Sequence, residues 1–217
     1  IVMSEDLAPN QPFIEDTRKG FILRIFSEKG SYRVPTTISE TNEGIIEVTF
    51  SRLRDIPALI LLKALGMTKE ADIAKNIGYE NDGLIVNLYE FANIQSADDA
   101  MVFIAEKSGI QGTKKEILDR VKQKIDAFLM PHIGTTKSER NNKALTLCRL
   151  TGLYLKSKDE KQTKTDKDHY ANKRVKLSGD LMADLFRVNL NILVRDIQYS
   201  LQKISKRKKF YSTKTIA

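Results

Sequence analysis

Gly20-Phe21-Ile22-Leu23-Arg24-Ile25-Phe26 and, further on, Ala58-Leu59-Ile60-Leu61-Leu62-Lys63-Ala64-Leu65-Gly66 bound the stretch that decides the fold. In the first run Phe21, Leu23 and Ile25 alternate with Ile22, Arg24 and Phe26, the period of two that belongs to a strand. Gly30 then turns the chain into residues 31–38 and Gly44 turns it again into residues 45–50, so three short strands predict a small antiparallel sheet near the N-terminus. In the second run the apolar residues do not alternate. Arg54-Asp55-Ile56-Pro57 leads into it, Asp55 can cap a helix and Pro57 fits a first turn, and Gly66 closes it, which predicts a helix over 58–65. The period changes once, near Pro57, and helices dominate from there on: an α+β fold, mainly α-helical.

Downstream, Thr68 caps a helix over 69–76 that Gly78 ends, and helical spacing continues over 84–91, 96–107, 114–130 and 141–155, with Pro131 stopping the third of these. Residues 156–170 carry almost no apolar side chain and make the best boundary. Beyond them Met182, Phe186, Leu190, Leu193, Ile197, Leu201 and Ile204 form a helical stripe, widened by Leu181, Leu185, Val188 and Ile192. So broad an apolar face predicts a long C-terminal amphipathic helix with a partner surface. The first residues, with Pro9 and Pro12, show no sustained periodicity, so the chain divides into a lead-in (1–19), a central domain (20–160) and a C-terminal part (161–217). Residue 1 is Ile, which suggests a piece of a longer chain.

The 217 residues are 41% hydrophobic and 29% charged, the composition of a folded, water-soluble protein. No apolar run approaches the roughly 18 residues that span a bilayer, so no membrane partner and an intracellular location are expected. The sole cysteine, Cys148, cannot form an internal disulfide and reads as a small buried hydrophobe, in keeping with a reducing compartment. The net charge of +8 is uneven. Residues 1–155 hold 20 Lys and Arg against 21 Asp and Glu, residues 156–176 eight against four, and residues 201–217 six against none. A polyanion should meet the C-terminal end, unless those lysines are merely solvated surface.

Neither histidine, His132 or His169, has a cysteine near it, and no zinc-ligand spacing exists. His132 follows Met130-Pro131 at a helix end, where capping or packing is expected. No nucleophile elbow, phosphate loop or dinucleotide fingerprint is present, so neither a catalytic centre nor a bound cofactor or metal is expected. Gly109-Ile110-Gln111-Gly112 has the form of the loop with which KH domains clamp nucleotides, but glycine pairs also end one helix and start another.

Asp166-Lys167-Asp168-His169-Tyr170-Ala171-Asn172-Lys173-Arg174-Val175-Lys176 is denser in chemistry. Asp168 can accept hydrogen bonds, Asn172 can donate, and Lys173, Arg174 and Lys176 can ground a phosphate or a base edge. The same residues could equally form a self-satisfied turn network that caps the next helix.

With Gly179 and Leu181, this segment resembles the D-x-D-H-x-x-N-[KR]-R-x-x-x-x-G-x-L motif of the second-largest subunit of multisubunit DNA-directed RNA polymerases. Arg54-Asp55-Ile56-Pro57 with Lys63-Ala64-Leu65-Gly66, Phe128-Leu129-Met130-Pro131-His132-Ile133, and Lys214-Thr215-Ile216-Ala217 are similar to further stretches of its archaeal and eukaryotic branch, in family order. The intact Asn172 looks archaeal, as in the archaeal form of that second-largest subunit or in its B″ half where it is split in two.

The resemblance implies that residues 20–160 are the lobe, one wall of the downstream DNA cleft and a docking surface for general transcription factors. Residues 1–19 would lead in from the protrusion, and the stripe from Met182 to Ile204 would return to it. It also implies other polymerase subunits as partners, a cytoplasmic location, and a catalytic Mg2+ held elsewhere in the enzyme. In bacterial relatives the motif contacts the non-template strand, which points to Asp168 at a base edge and Lys173 and Arg174 near the strand. Lys173 replaces the bacterial arginine and lacks its planar fork, so phosphate contact is expected rather than base readout. The competing reading is a stand-alone nucleic-acid-binding module that uses Lys203, Lys206, Arg207, Lys208 and Lys209.

Overall fold

A computed structural model describes residues 2–17, 20–30, 32–79, 81–160, 165–166 and 168–206, with the backbone alone at 2–6, 32 and 206. Two compact units emerge, one of residues 7–172 and one that joins the N-terminal residues up to 6 with those from 173 onward. The larger unit is built on a five-stranded antiparallel sheet whose strands follow one another in chain order: β2 (Pro12–Thr17), β3 (Gly20–Lys29), β4 (Tyr32–Glu40), β5 (Ile46–Phe50) and β6 (Leu53–Pro57). Its register aligns Ile14, Leu23, Ile38, Val48 and Ile56 in a single row across all five strands. Every member of the row is buried. Leu23, Ile38, Val48 and Ile56 of this row share one core cluster with the helices, and cross-strand neighbours of this kind are what stabilise a sheet.

Strands β3, β4 and β5 lie where the alternating pattern predicts them, whereas β2 and β6 are additions. β2 lies in the stretch read as a featureless lead-in. Phe13, Ile14 and Glu15 are all buried in succession, so the strand has no period of two to detect. Glu15 is buried because it faces Arg24 of β3 at 3.6 Å. β6 is broken in pattern by Asp55, whose φ is +54°. Asp55 therefore caps no helix: its backbone N–H donates to Thr49 Oγ1 (3.0 Å), and Pro57 itself occupies the capping position of α1 (Ala58–Ala64) without a side-chain cap.

α1 is buried on every side, the expected fate of a short apolar run inside a helical layer. Its one charged residue, Lys63, donates to the Phe91 carbonyl (2.7 Å) and to Glu70 (3.3 Å). Around it lie α2 (Glu70–Ile77), α3 (Asp82–Glu90), α4 (Ala97–Lys107), α5 (Lys114–Phe128) and α6 (Arg140–Asp159). One core cluster runs from the sheet row through α1 to Ile104, Val121 and Leu147. Four helix ends differ from expectation. Thr68 does not cap α2, which starts after Lys69 without a side-chain cap, and α3 starts earlier, where the Asn81 side chain accepts from Leu84 N at 2.9 Å. α5 stops at Phe128, since Leu129 is extended and Met130, held just before Pro131, has φ +43°. α6 continues to Asp159, where Lys158 reaches Glu40 at 2.6 Å.

Cys148 is buried as expected, and burial pushes its thiol up to about 11. His132 packs as expected: its Nδ1 lies 2.6 Å from Ser27 Oγ, and burial lowers its pKa. The Gly109–Gly112 loop punctuates helices. Gly109 (φ +66°) ends α4, and the Glu116 carboxylate accepts from Thr113 N (3.1 Å) at the start of α5. In the smaller unit, β1 (Val2–Leu7) pairs with β7 (Lys173–Lys176), and α7 (Ser178–Lys206) is the long terminal helix the stripe predicts. Most of its large apolar side chains are exposed, Met182 and Phe186 at 68% each. Arg207, Lys208, Lys209 and the 214–217 stretch lie outside the described residues.

Candidate nucleic-acid interface

The motif spans the boundary between the two units, and each part has its own local logic. In the larger unit its approach is clamped to β2: Thr165 N donates to the Ile14 carbonyl (3.0 Å) and Ile14 N donates back to Thr165 Oγ1 (3.1 Å). At the far end Ala8 N donates to the Asn172 carbonyl at 2.8 Å. Between these anchors the chain folds on itself. Asp166 Oδ1 accepts from Asp168 N (2.9 Å), His169 Nδ1 accepts from Ala171 N (3.1 Å), and the His169 carbonyl accepts from Asn172 N (3.0 Å). The Asn172 side-chain amide donates to the Asp166 carbonyl at 2.6 Å, so one of its N–H groups is engaged within the turn. Aspartate, asparagine and histidine suit such a turn because their short polar side chains reach backbone groups two residues away.

The result is an ordered turn that buries little: Asp168 and His169 are exposed and the Tyr170 ring is 76% exposed.

In the smaller unit, Lys173, Arg174 and Lys176 are half-buried along β7. Lys176 Nζ lies 3.1 Å from Asp184 Oδ2 and Arg187 Nη1 lies 3.3 Å from Asp184 Oδ1. The Lys176 hydrogen bond, ahead of the surrounding positive charge, holds the Asp184 carboxyl below its ordinary value. The helix start is fixed by Asp180, whose Oδ2 accepts from Leu177 N at 3.0 Å. Asp180 performs the capping that the motif residues were open to performing. Asp180 and Asp184 are therefore the parts of this region that the reading of the motif missed. A Leu-Ser-Gly-Asp sequence at a helix start was the signal for Asp180.

Among the described residues no three His, Cys, Asp or Glu side chains come together as a metal site, and no helix is long and apolar enough to cross a membrane.

Comparison with known proteins matches this sequence to a domain carried inside a much larger subunit. The family described as RNA polymerase Rpb2, domain 2, matches residues 10–176. The DNA-directed RNA polymerase subunit Rpo2 of Saccharolobus solfataricus is 35% identical over 215 residues, which cover 94% of this chain and 19% of that protein. Subunit Rpo2N of Halobacterium salinarum is 33% identical across 100% of this chain and 43% of its own length, and that of Methanocaldococcus jannaschii is 34% identical across 96% and 44%. The chain thus spans less than half the length of these archaeal relatives. It belongs to the RNA polymerase Rpb2 domain 2 family, a segment of the second-largest subunit of DNA-directed RNA polymerase.

Proposed function

We propose that this chain is a non-catalytic part of DNA-directed RNA polymerase. In this reading residues 20–160 form the lobe, one wall of the downstream DNA cleft, and offer a docking surface to general transcription factors. The observation that carries it is the family match across residues 10–176, joined to relatives more than twice as long. The near balance of 20 basic and 21 acidic residues in 1–155 suits a wall that guides DNA rather than grips it. Nucleotidyl transfer and its Mg2+ belong, on this proposal, to other parts of the enzyme.

The proposed DNA-contacting residues are Asp168 and Asn172 in the larger unit and Lys173, Arg174 and Lys176 in the smaller, with the cations addressing phosphates of the non-template strand or the downstream duplex. The exposure of Asp168 and the run of cations on β7 support this. The test is open-complex lifetime in polymerase reconstituted with Lys173→Glu. A negative charge beside a phosphate should shorten the lifetime about ten-fold, and Asp168→Ala should act more mildly because it removes an acceptor without adding repulsion. A Lys173→Glu enzyme with an unchanged lifetime would defeat the DNA contact.

A further inference from the structure

Phe128-Leu129-Met130-Pro131-His132-Ile133 carries part of the family resemblance and has no role in the reading above. α5 ends at Phe128, and the sharp turn through Leu129 and Met130 buries those two side chains while it leaves the Phe128 ring 37% exposed at the rim. A depression opens on each side of the ring. One, of about 470 Å3, is walled mainly by Ala127, Phe128 and Pro131, with Lys29 at its edge. The other, of about 360 Å3, lies between α5 and the β5–β6 turn, where Phe50 and Leu53 form the floor and Arg52 and Lys124 the rim. All of these residues belong to the larger unit.

Among the described residues no acid lines either depression. The side chains of Lys29, Arg52 and Lys124 form no ion pair or hydrogen bond with another described residue. Asp126, next to Ala127 in sequence, is held in a two-pronged pair by Arg140 at 2.7 and 2.5 Å. Behind it the buried ammonium of Lys143 adds positive charge, and Lys29 repels it. Apolar hollows rimmed by cations of one sign call for a ligand with bulky apolar side chains and negative charge.

We propose that the two depressions beside Phe128 form a docking groove for an acidic peptide segment of another protein, anchored by bulky apolar side chains. The inference rests on the reading of this unit as a docking surface. A peptide fits better than a nucleic acid: the hollows are walled by apolar side chains that suit an anchoring side chain, and Lys29, Arg52 and Lys124 at their edges are not the continuous basic groove that a strand's phosphates would track.

The test is fluorescence anisotropy of the full 217-residue chain with three labelled peptides. One is an Asp/Glu-rich peptide with a central Phe and Leu, the second carries Ser at those two positions, and the third has the acids changed to Lys. The first should bind, and the other two should bind at least about ten-fold more weakly. Arg52→Glu, Lys124→Glu and Phe128→Ala should each cause a similar loss. The two charge reversals sit on the rim and decide the matter if Phe128→Ala fails to fold. Binding of the first peptide that survives both reversals would overturn the groove, as would displacement of that peptide by a single-stranded oligonucleotide. The docking reading is judged separately by photo-crosslinking in assembled polymerase from Tyr89, exposed on α3 away from the groove. Crosslinks there without peptide binding sink the groove alone, and silence in both sinks both.

Discussion

Lys143 is fully buried with its ammonium on the carbonyls of Ile125 (3.3 Å) and Asp126 (2.7 Å), which lie at the end of α5. Two of the three ammonium donors are engaged and the charge is not balanced, and burial lowers the Lys143 pKa from 10.5 to about 8. Between those values the unfolded chain holds a proton that the folded chain has released. Stability should therefore rise with pH across that interval, while below it the full cost of the buried charge remains. Urea unfolding of wild type and Lys143→Met at several pH values should show the wild type gaining up to about 3 kcal/mol relative to the variant across that interval. Parallel curves would mean that Lys143 stays charged throughout. Nothing in the sequence marked this residue, because a lysine in a polar helical run looks like surface. Cys148 and His132 were legible for the opposite reason: the apolar run around Cys148 and the helix end before His132 already imply their environments. Asp55 misled because capping needs an extended backbone before the helix, and its φ of +54° aims the side chain elsewhere.

At the scale of elements, the helices were legible wherever one face is buried and one is wet, and the strands only where burial alternates. β2 escaped because three consecutive residues are covered, one of them a glutamate that only its contact with Arg24 explains. The same strand holds Thr165 and so positions the approach to the motif, a tie across the whole unit that no local pattern reveals. Helix packing has a comparable hidden determinant at Gly152, in the middle of α6. A Cβ there would run into the backbone carbonyl of Ile77, which cannot move aside as a side chain could, so α6 and α2 approach this closely only with glycine. Gly152→Ala should lower stability by about 2 kcal/mol or more despite the better helix propensity of alanine. Gly179→Ala in α7, where a Cβ meets nothing within 4 Å, should be neutral or slightly stabilising. Thermal melting of both variants checks this, and equal melting temperatures would remove the close-packing argument.

For the whole molecule the deciding quantity is where charge sits. Residues 156–176 hold eight basic and four acidic side chains, and part of that excess is already neutralised, since Lys176 faces Asp184 and Lys158 faces Glu40. The basic excess is confined to residues 156–217, so only a few phosphates can be neutralised at once, the chain should bind duplex weakly, and its affinity should fall as salt rises with a slope of about −0.9 for each phosphate neutralised. The contributions should also be local. Lys173→Glu should reduce that slope by about 1 to 2, while Lys75→Glu, an exposed change on α2, should leave it unaltered because the charge there is balanced by its surroundings. Fluorescence anisotropy with a labelled duplex across a salt series measures both slopes. Equal effects of the two changes would mean that the chain attracts DNA through its net charge of +8 alone, and the motif would then lose its claim to contact DNA.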